Sequence, residues 1–109
     1  MGALENLTFT KTIAEGTAIK KPIRLTKILD IMKKTNGGCV AVTEDEILKA
    51  TLELSKKGFF VEPTCASAAV GLEKLQAKNL IGSGETTVVV LTGSGLKSSD
   101  FFTENVALQ

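Results

Sequence analysis

The sequence predicts an α/β fold: a small three-layer αβα domain with a mainly parallel sheet of about three to four strands and three helices. Three observations carry that expectation. Helix-period segments alternate with short apolar runs from residue 22 to 92. The runs are continuous rather than alternating, as in strands buried on both faces. The helical segments carry their own start and stop residues. Alternation of this kind gives right-handed crossovers with helices on both faces of a sheet.

Residues 1–21 show little periodicity. Leu7, Phe9 and Thr12-Ile13-Ala14 suggest short extended pieces, and Glu15-Gly16-Thr17 reads as a turn in which Gly16 is free to take positive φ. Pro22 sits where a helix starts well. From Pro22 to Thr35, Leu25, Ile28, Leu29 and Met32 fall on one helical face. Lys33 and Lys34 suit the negative end of the helix dipole, and Asn36-Gly37-Gly38 stops the helix.

Cys39-Val40-Ala41-Val42 reads as a buried strand. Thr43 and Glu46 have the spacing of a capping box, opening a helix that runs through Lys57 with Ile47, Ala50, Thr51 and Leu54 inward. Gly58 closes it. Phe59-Phe60-Val61 is a second strand, and Glu62-Pro63 leads into a third helix, about Thr64 to Lys78. Its inner face is small: Ala66, Ser67, Ala69, Val70 and Gly71. A mid-helix glycine costs about 1 kcal/mol relative to alanine, which makes sense where backbone or a ligand approaches. Thr86 to Leu91 is the third strand, apolar enough to be central. Thr92-Gly93-Ser94-Gly95 is a turn, and a polar tail holding Phe101-Phe102 follows. So thin a sheet needs its edges covered by residues 1–21, by the tail or by another chain.

Composition bounds the function. The 109 residues, 43% hydrophobic and 23% charged, suit a single domain over residues 1–109. No apolar run approaches the ~18 residues of a membrane span, and Met1 to Glu5 lacks the basic region of a secretory signal. Net charge is +1 with a single arginine, Arg24, so neither nucleic acid nor an anionic membrane is an expected partner. Histidine is absent, which excludes a Ser-His-Asp triad and leaves nothing with metal-ligand spacing. Cys39 and Cys65 read as two buried small hydrophobes in a reducing, cytoplasmic setting, with a disulfide or a reactive thiol as the alternatives.

Ligands of open parallel sheets bind beyond the carboxyl ends of strands. Thr43-Glu44 at the first such end reads as plain capping. At the second, Glu62 is either a carboxylate favoured by the helix dipole or an acid facing a site. At the third, Thr92 with Gly93-Ser94-Gly95 is either a tight turn or a place where backbone approaches a ligand. The turn matches neither a dinucleotide fingerprint nor a P-loop, so it is a weak phosphate signal. Lys97, just after it, is the lysine hardest to dismiss as a solvated charge.

Four segments resemble a known family. Thr12 to Ile19 with Pro22-Ile23-Arg24, Val42 to Ile47, and Phe60 to Ala69 are similar to segments of threonine synthases and threonine dehydratases. Val89 to Lys97 resembles threonine synthases in particular. The order and spacing match from about Lys11 to Asp100. The family is the tryptophan-synthase-like (fold type II) class of pyridoxal-phosphate enzymes. The resemblance implies that the Thr92 hydroxyl meets the pyridine nitrogen of the cofactor, with Gly93 beside it. It implies that Ala14, Glu15 and Gly16 form a turn near the cofactor and that the Glu62 carboxylate lies near the ring. A neutral hydroxyl leaves the pyridine unprotonated and limits it as an electron sink.

The family's Schiff-base lysine, the asparagine on the cofactor's phenolic oxygen and the glycine-rich phosphate cup belong to the part N-terminal to this stretch. None of these 109 residues matches them. The resemblance therefore implies the C-terminal part of a larger enzyme, with no catalytic residue of its own and no cofactor bound by the chain alone. The whole enzyme would convert O-phosphohomoserine to threonine and phosphate. The expected partner is the N-terminal catalytic half or a second copy of this chain, and a homo-oligomer is expected. The alternatives are a threonine dehydratase-like fragment, or a non-catalytic interaction or small-ligand-binding α/β module.

Overall fold

A computed structural model describes residues 8–106. The segment holding Leu7 and the first residues lies outside it. Four α-helices follow one another: α1 (Leu25–Thr35), α2 (Glu44–Lys56), α3 (Pro63–Ala77) and α4 (Ser99–Val106). Two 3-10 turns, Glu15–Thr17 and Gly95–Ser98, complete the order.

The three predicted helices are present; α2 and α3 start as expected, whereas α1 begins at Leu25 after Arg24 and not at Pro22. Thr43 accepts from the Glu46 amide at 3.3 Å, and the Glu46 carboxylate accepts from the Thr43 amide at 2.7 Å. That reciprocal pair satisfies two otherwise orphaned donors of α2. Gly58, at φ 90°, turns the chain out of α2. At the end of α1 it is Asn36, not a glycine, that takes the left-handed conformation, at φ 51° and ψ 35°; asparagine tolerates it better than most residues. Pro63 occupies the first turn of α3, where its missing N–H costs nothing.

The predicted sheet is not there. Among the described residues no strand forms, and the only pairing is an antiparallel bridge between Val61 and Ser94. Among the described residues neither Cys39–Val42 nor Thr86–Leu91 makes a backbone–backbone hydrogen bond. The three-layer αβα reading, with its mainly parallel sheet, is thereby overturned. The physical reason lies in what an apolar run specifies. It favours extended backbone and burial, but a ladder also needs a second backbone about 4.8 Å away. Among the described residues the runs find no such partner beyond the single Val61–Ser94 bridge. Leu91 is exposed, as are Val88 at 80% and Val90 at 66%. The third run is therefore neither central nor covered.

The core sits between α2 and α3. Ala50, Val61, Cys65, Ala66 and Val70 form one buried cluster, with Val42 and Leu54 packed against it. Thr51 is fully buried and donates its hydroxyl to the Ile47 carbonyl at 2.7 Å, so its polar atom is satisfied. The expected inward face of α2 holds. That of α1 does not: Leu25, Ile28, Leu29 and Met32 share one face, yet α1 has no buried residue. Of the two cysteines, Cys65 is buried and Cys39 exposed, so the pairing of both as core residues is corrected. The tail is not merely polar. It forms α4, whose Phe102 ring packs on Phe60 with centroids 4.5 Å apart and on Phe101 at 5.2 Å.

Candidate functional site

The N-terminus of α3 gathers four of the five residues singled out from the sequence, and the fifth adjoins them. Glu62 is the residue before Pro63 and is half-buried. Its amide donates to the Gly93 carbonyl at 3.1 Å, and the Gly95 amide donates to the Phe60 carbonyl at 3.0 Å. These two bonds clamp Phe60–Glu62 against Gly93–Gly95. Gly93 is buried directly beneath the Glu62 side chain, and a Cβ there would collide with the Glu62 carboxylate. Glycine is thus required at 93 by close approach, and the group approaching is Glu62. Gly95 is held to glycine in the same way by the rings of Phe60 and Phe102, each 2.9 Å from where its Cβ would stand.

On the other side of the helix N-terminus lies the turn Glu15–Thr17. The Gly16 amide donates to the Thr64 hydroxyl at 3.0 Å, and a Cβ on Gly16 would stand 2.9 Å from the Thr64 methyl. Among the described residues with positive φ, Gly16 does not figure. Contact with Thr64, not a left-handed backbone, is what Gly16 supplies. Ala14 beside it is buried. Glu15 is exposed, and so is Thr92, which precedes the buried Gly93. Glu62 makes no side-chain capping bond to its own helix, so its carboxylate remains available.

Two positions that hold this region together escaped the sequence reading. Glu44 takes a hydrogen bond from the Thr12 hydroxyl at 2.5 Å and another from the Ile13 amide at 2.8 Å, tying the segment before Glu15 to α2. Thr64 anchors Gly16. Both partners are more than thirty residues distant in sequence, so no local pattern announces them; only the resemblance of both segments to one family pointed there. Beside this region an open cavity of about 520 Å³ is lined by Lys11, Glu15, Glu44, Pro63, Lys97 and Asp100, among others. Lys97 thus faces the same cleft as the Glu15 turn, with charges of both signs around it.

Pyridoxal phosphate can be tested against these residues at each end. An exposed, neutral hydroxyl at Thr92 suits the edge of a pyridine nitrogen. The phosphate end does not fit. A helix N-terminus attracts anions, but at α3 the Glu62 carboxylate already stands there. Among the described residues, Thr92 thus suits the ring end of such a group, while the N-terminus of α3 does not suit its phosphate.

Comparison with known proteins gives this arrangement a family. The profile of the pyridoxal-phosphate dependent enzymes matches residues 1–93, so the chain belongs to that family. It is 41% identical over 91 residues to the threonine synthase of Methanocaldococcus jannaschii, covering 83% of this chain and 22% of that one. With the threonine synthase of Methanosarcina acetivorans it shares 38% over 88 residues, 80% of this chain and 22% of the other. With that of Halalkalibacterium halodurans it shares 40% over 88 residues, 80% and 25%. The chain thus spans about a quarter or less of the curated relatives it matches. No solved structure matches it.

Proposed function

We propose that residues 1–109 are one domain, the C-terminal part of a cytoplasmic threonine synthase-like enzyme, and that they supply one wall of its cofactor site. The observation that carries the reading is the convergence of Glu62, Gly93 and the Gly16 turn on the N-terminus of α3, with the Thr92 hydroxyl exposed beside them. Three of the four family-like segments meet at that point although they lie far apart in sequence. When bound, pyridoxal phosphate supplies an electron-withdrawing ring that stabilises carbanions of an amino-acid substrate. Thr92 would donate its hydroxyl hydrogen to the ring nitrogen, leaving that nitrogen unprotonated and neutral. Glu62 and Glu15 would close the pocket and keep it polar. Each relative named above is a threonine synthase, which favours conversion of O-phosphohomoserine to threonine over a dehydratase reaction.

The Schiff-base lysine and phosphate cup would come from a complementary polypeptide, either the N-terminal catalytic half or another copy of a longer chain. The chain by itself is then inactive. The test is direct: incubate the protein with pyridoxal phosphate, dialyse, and record the visible spectrum and threonine release from O-phosphohomoserine. No lysine-bound cofactor absorbance and no threonine are expected. A stable band with turnover would overturn the partial-site reading.

A further inference from the structure

The turn that carries Thr92 is fastened from one side. Ahead of it, Thr86–Leu91 makes no backbone–backbone hydrogen bond among the described residues. After it, the Gly93 carbonyl accepts from the Glu62 amide at 3.1 Å, Val61 and Ser94 form a bridge, and the Gly95 amide donates to the Phe60 carbonyl at 3.0 Å. The place of Thr92 therefore depends on how firmly Gly93–Gly95 is kept against Phe60–Glu62. Two rings stand at the last of these bonds. One is Phe60 itself; the other is Phe102 of α4, with centroids 4.5 Å apart and planes at 45°. Phe101 meets Phe102 edge-on, 5.2 Å away. Both Phe60 and Phe102 reach to 2.9 Å from where a Gly95 Cβ would stand, so they close on the glycine backbone. Gly95 is buried beneath them, where water competes poorly for its amide.

We propose that α4 is a latch on the Thr92 turn and that Phe102 is its positioning residue, acting on Thr92 through Gly95 and Phe60. That rests on the reading of Thr92 as the group that meets the cofactor's ring nitrogen. The family match ends at residue 93, before α4 begins, so the latch lies outside the matched stretch.

A latch must be able to open, and α4 has the marginal stability that opening requires. It has 8 residues and none of them is buried. Isolated helices become stable only at ~12–15 residues. Its docking therefore relies on side-chain contacts, and Phe102 makes the one that reaches the turn. Coupling of this kind is reciprocal. A docked α4 steadies Gly93–Gly95, and a ligand that orders the Thr92 turn favours a docked α4. With Phe102 gone, one side of Gly95 is open to water, and a backbone bond open to water breaks more often.

Amide exchange and nitrogen-15 relaxation of the intact 109-residue protein test the latch, with Phe102→Ala as the variant. Exchange at the Glu62 and Gly95 amides should quicken by about tenfold. The order parameters of Thr92 and Gly93 should fall from about 0.85 to about 0.6 or below. Exchange at Ala50–Leu54 and Ala66–Val70 should not change, because the core between α2 and α3 does not include α4. Phe102→Tyr keeps the ring and should restore the parent's values. Gly95→Ala puts a methyl group between the two rings and should quicken the same amides, but less so in the Phe102→Ala background, because the two positions share one contact. The inference is overturned if Phe102→Ala leaves Glu62 and Gly95 as in the parent, or if Phe102→Tyr does not restore them. It is also overturned if the core amides quicken equally, since Phe102 would then support the fold at large. Neither readout involves cofactor or turnover. An unmoved turn would remove the latch and leave the cofactor reading of Thr92 standing, and a working latch would outlast the loss of that reading.

Discussion

The Glu46 carboxylate meets the Lys74 ammonium at 2.7 Å, while Lys74 also donates to the Ala41 carbonyl at 2.9 Å. The Lys74 hydrogen bond first, and the Thr43 amide second, hold the Glu46 carboxyl below its ordinary value of 4.5. A group whose pKa is depressed by folding stabilises the fold above its unfolded pKa, and that contribution is lost as pH falls through the folded value. The urea midpoint should therefore decline as pH falls below that ordinary value and flatten once Glu46 is protonated. Glu46→Gln keeps an oxygen that can cap Thr43 and removes the titration, so its midpoint should fall less steeply over that window. Thr43→Ala should lower stability by about 1 kcal/mol at every pH. Parallel pH curves for the parent and Glu46→Gln would count against this assignment. The capping box was legible from Thr43 and Glu46 three residues apart. The Lys74 contact was not, because nothing local ties residue 46 to residue 74.

Helices proved more legible than strands, for reasons visible in α1 and in Thr86–Leu91. A helix closes its own hydrogen bonds, so a 3.6-residue period with Asn36 at its end is enough to define one. An extended run borrows its bonds from elsewhere, and Thr86–Leu91 finds no lender among the described residues. Packing was harder to read than either. The apolar face of α1 is real, but Ile28 and Leu29 are each 47% exposed. Which surface covers a face is a property of the partner, not of the helix. The same limit applied at the site. Glu62 and Gly93 were found from their motifs, whereas Glu44 and Thr64 act through contacts that only folding creates. A consequence follows for α1. At 11 residues and without a buried side chain, it lies below the ~12–15 residues at which isolated helices become stable. Amide exchange at Ile28–Met32 should be fast and close to that of an unfolded chain. Exchange at Ala50–Leu54 and Ala66–Val70 should be slow, because those turns border the core. Equal protection across the three helices would mean that α1 has found a covering surface.

The molecule as a whole is wide and thin, with extents of 45 × 40 × 20 Å. Its radius of gyration is 15.6 Å, against about 13 Å for a compact domain of this length. The shortest dimension is close to two layers of helix, and among the described residues α2 against α3 supplies the only extensive helix packing. Such a shape sets how much surface unfolding can expose. An unfolded chain of this mass presents about 16,700 Å² and a compact fold about 5,800 Å². Starting from 8826 Å², unfolding gains only about three-quarters of the compact difference. Because the urea m-value scales with the area exposed, it should be about three-quarters of that for a compact domain of equal length. Cooperativity should be correspondingly low. A protein that shows the full compact m-value at low concentration, where self-association is absent, would have covered its open face by itself. That would remove the physical ground for expecting a partner surface, since a face needs one only if folding alone leaves it bare.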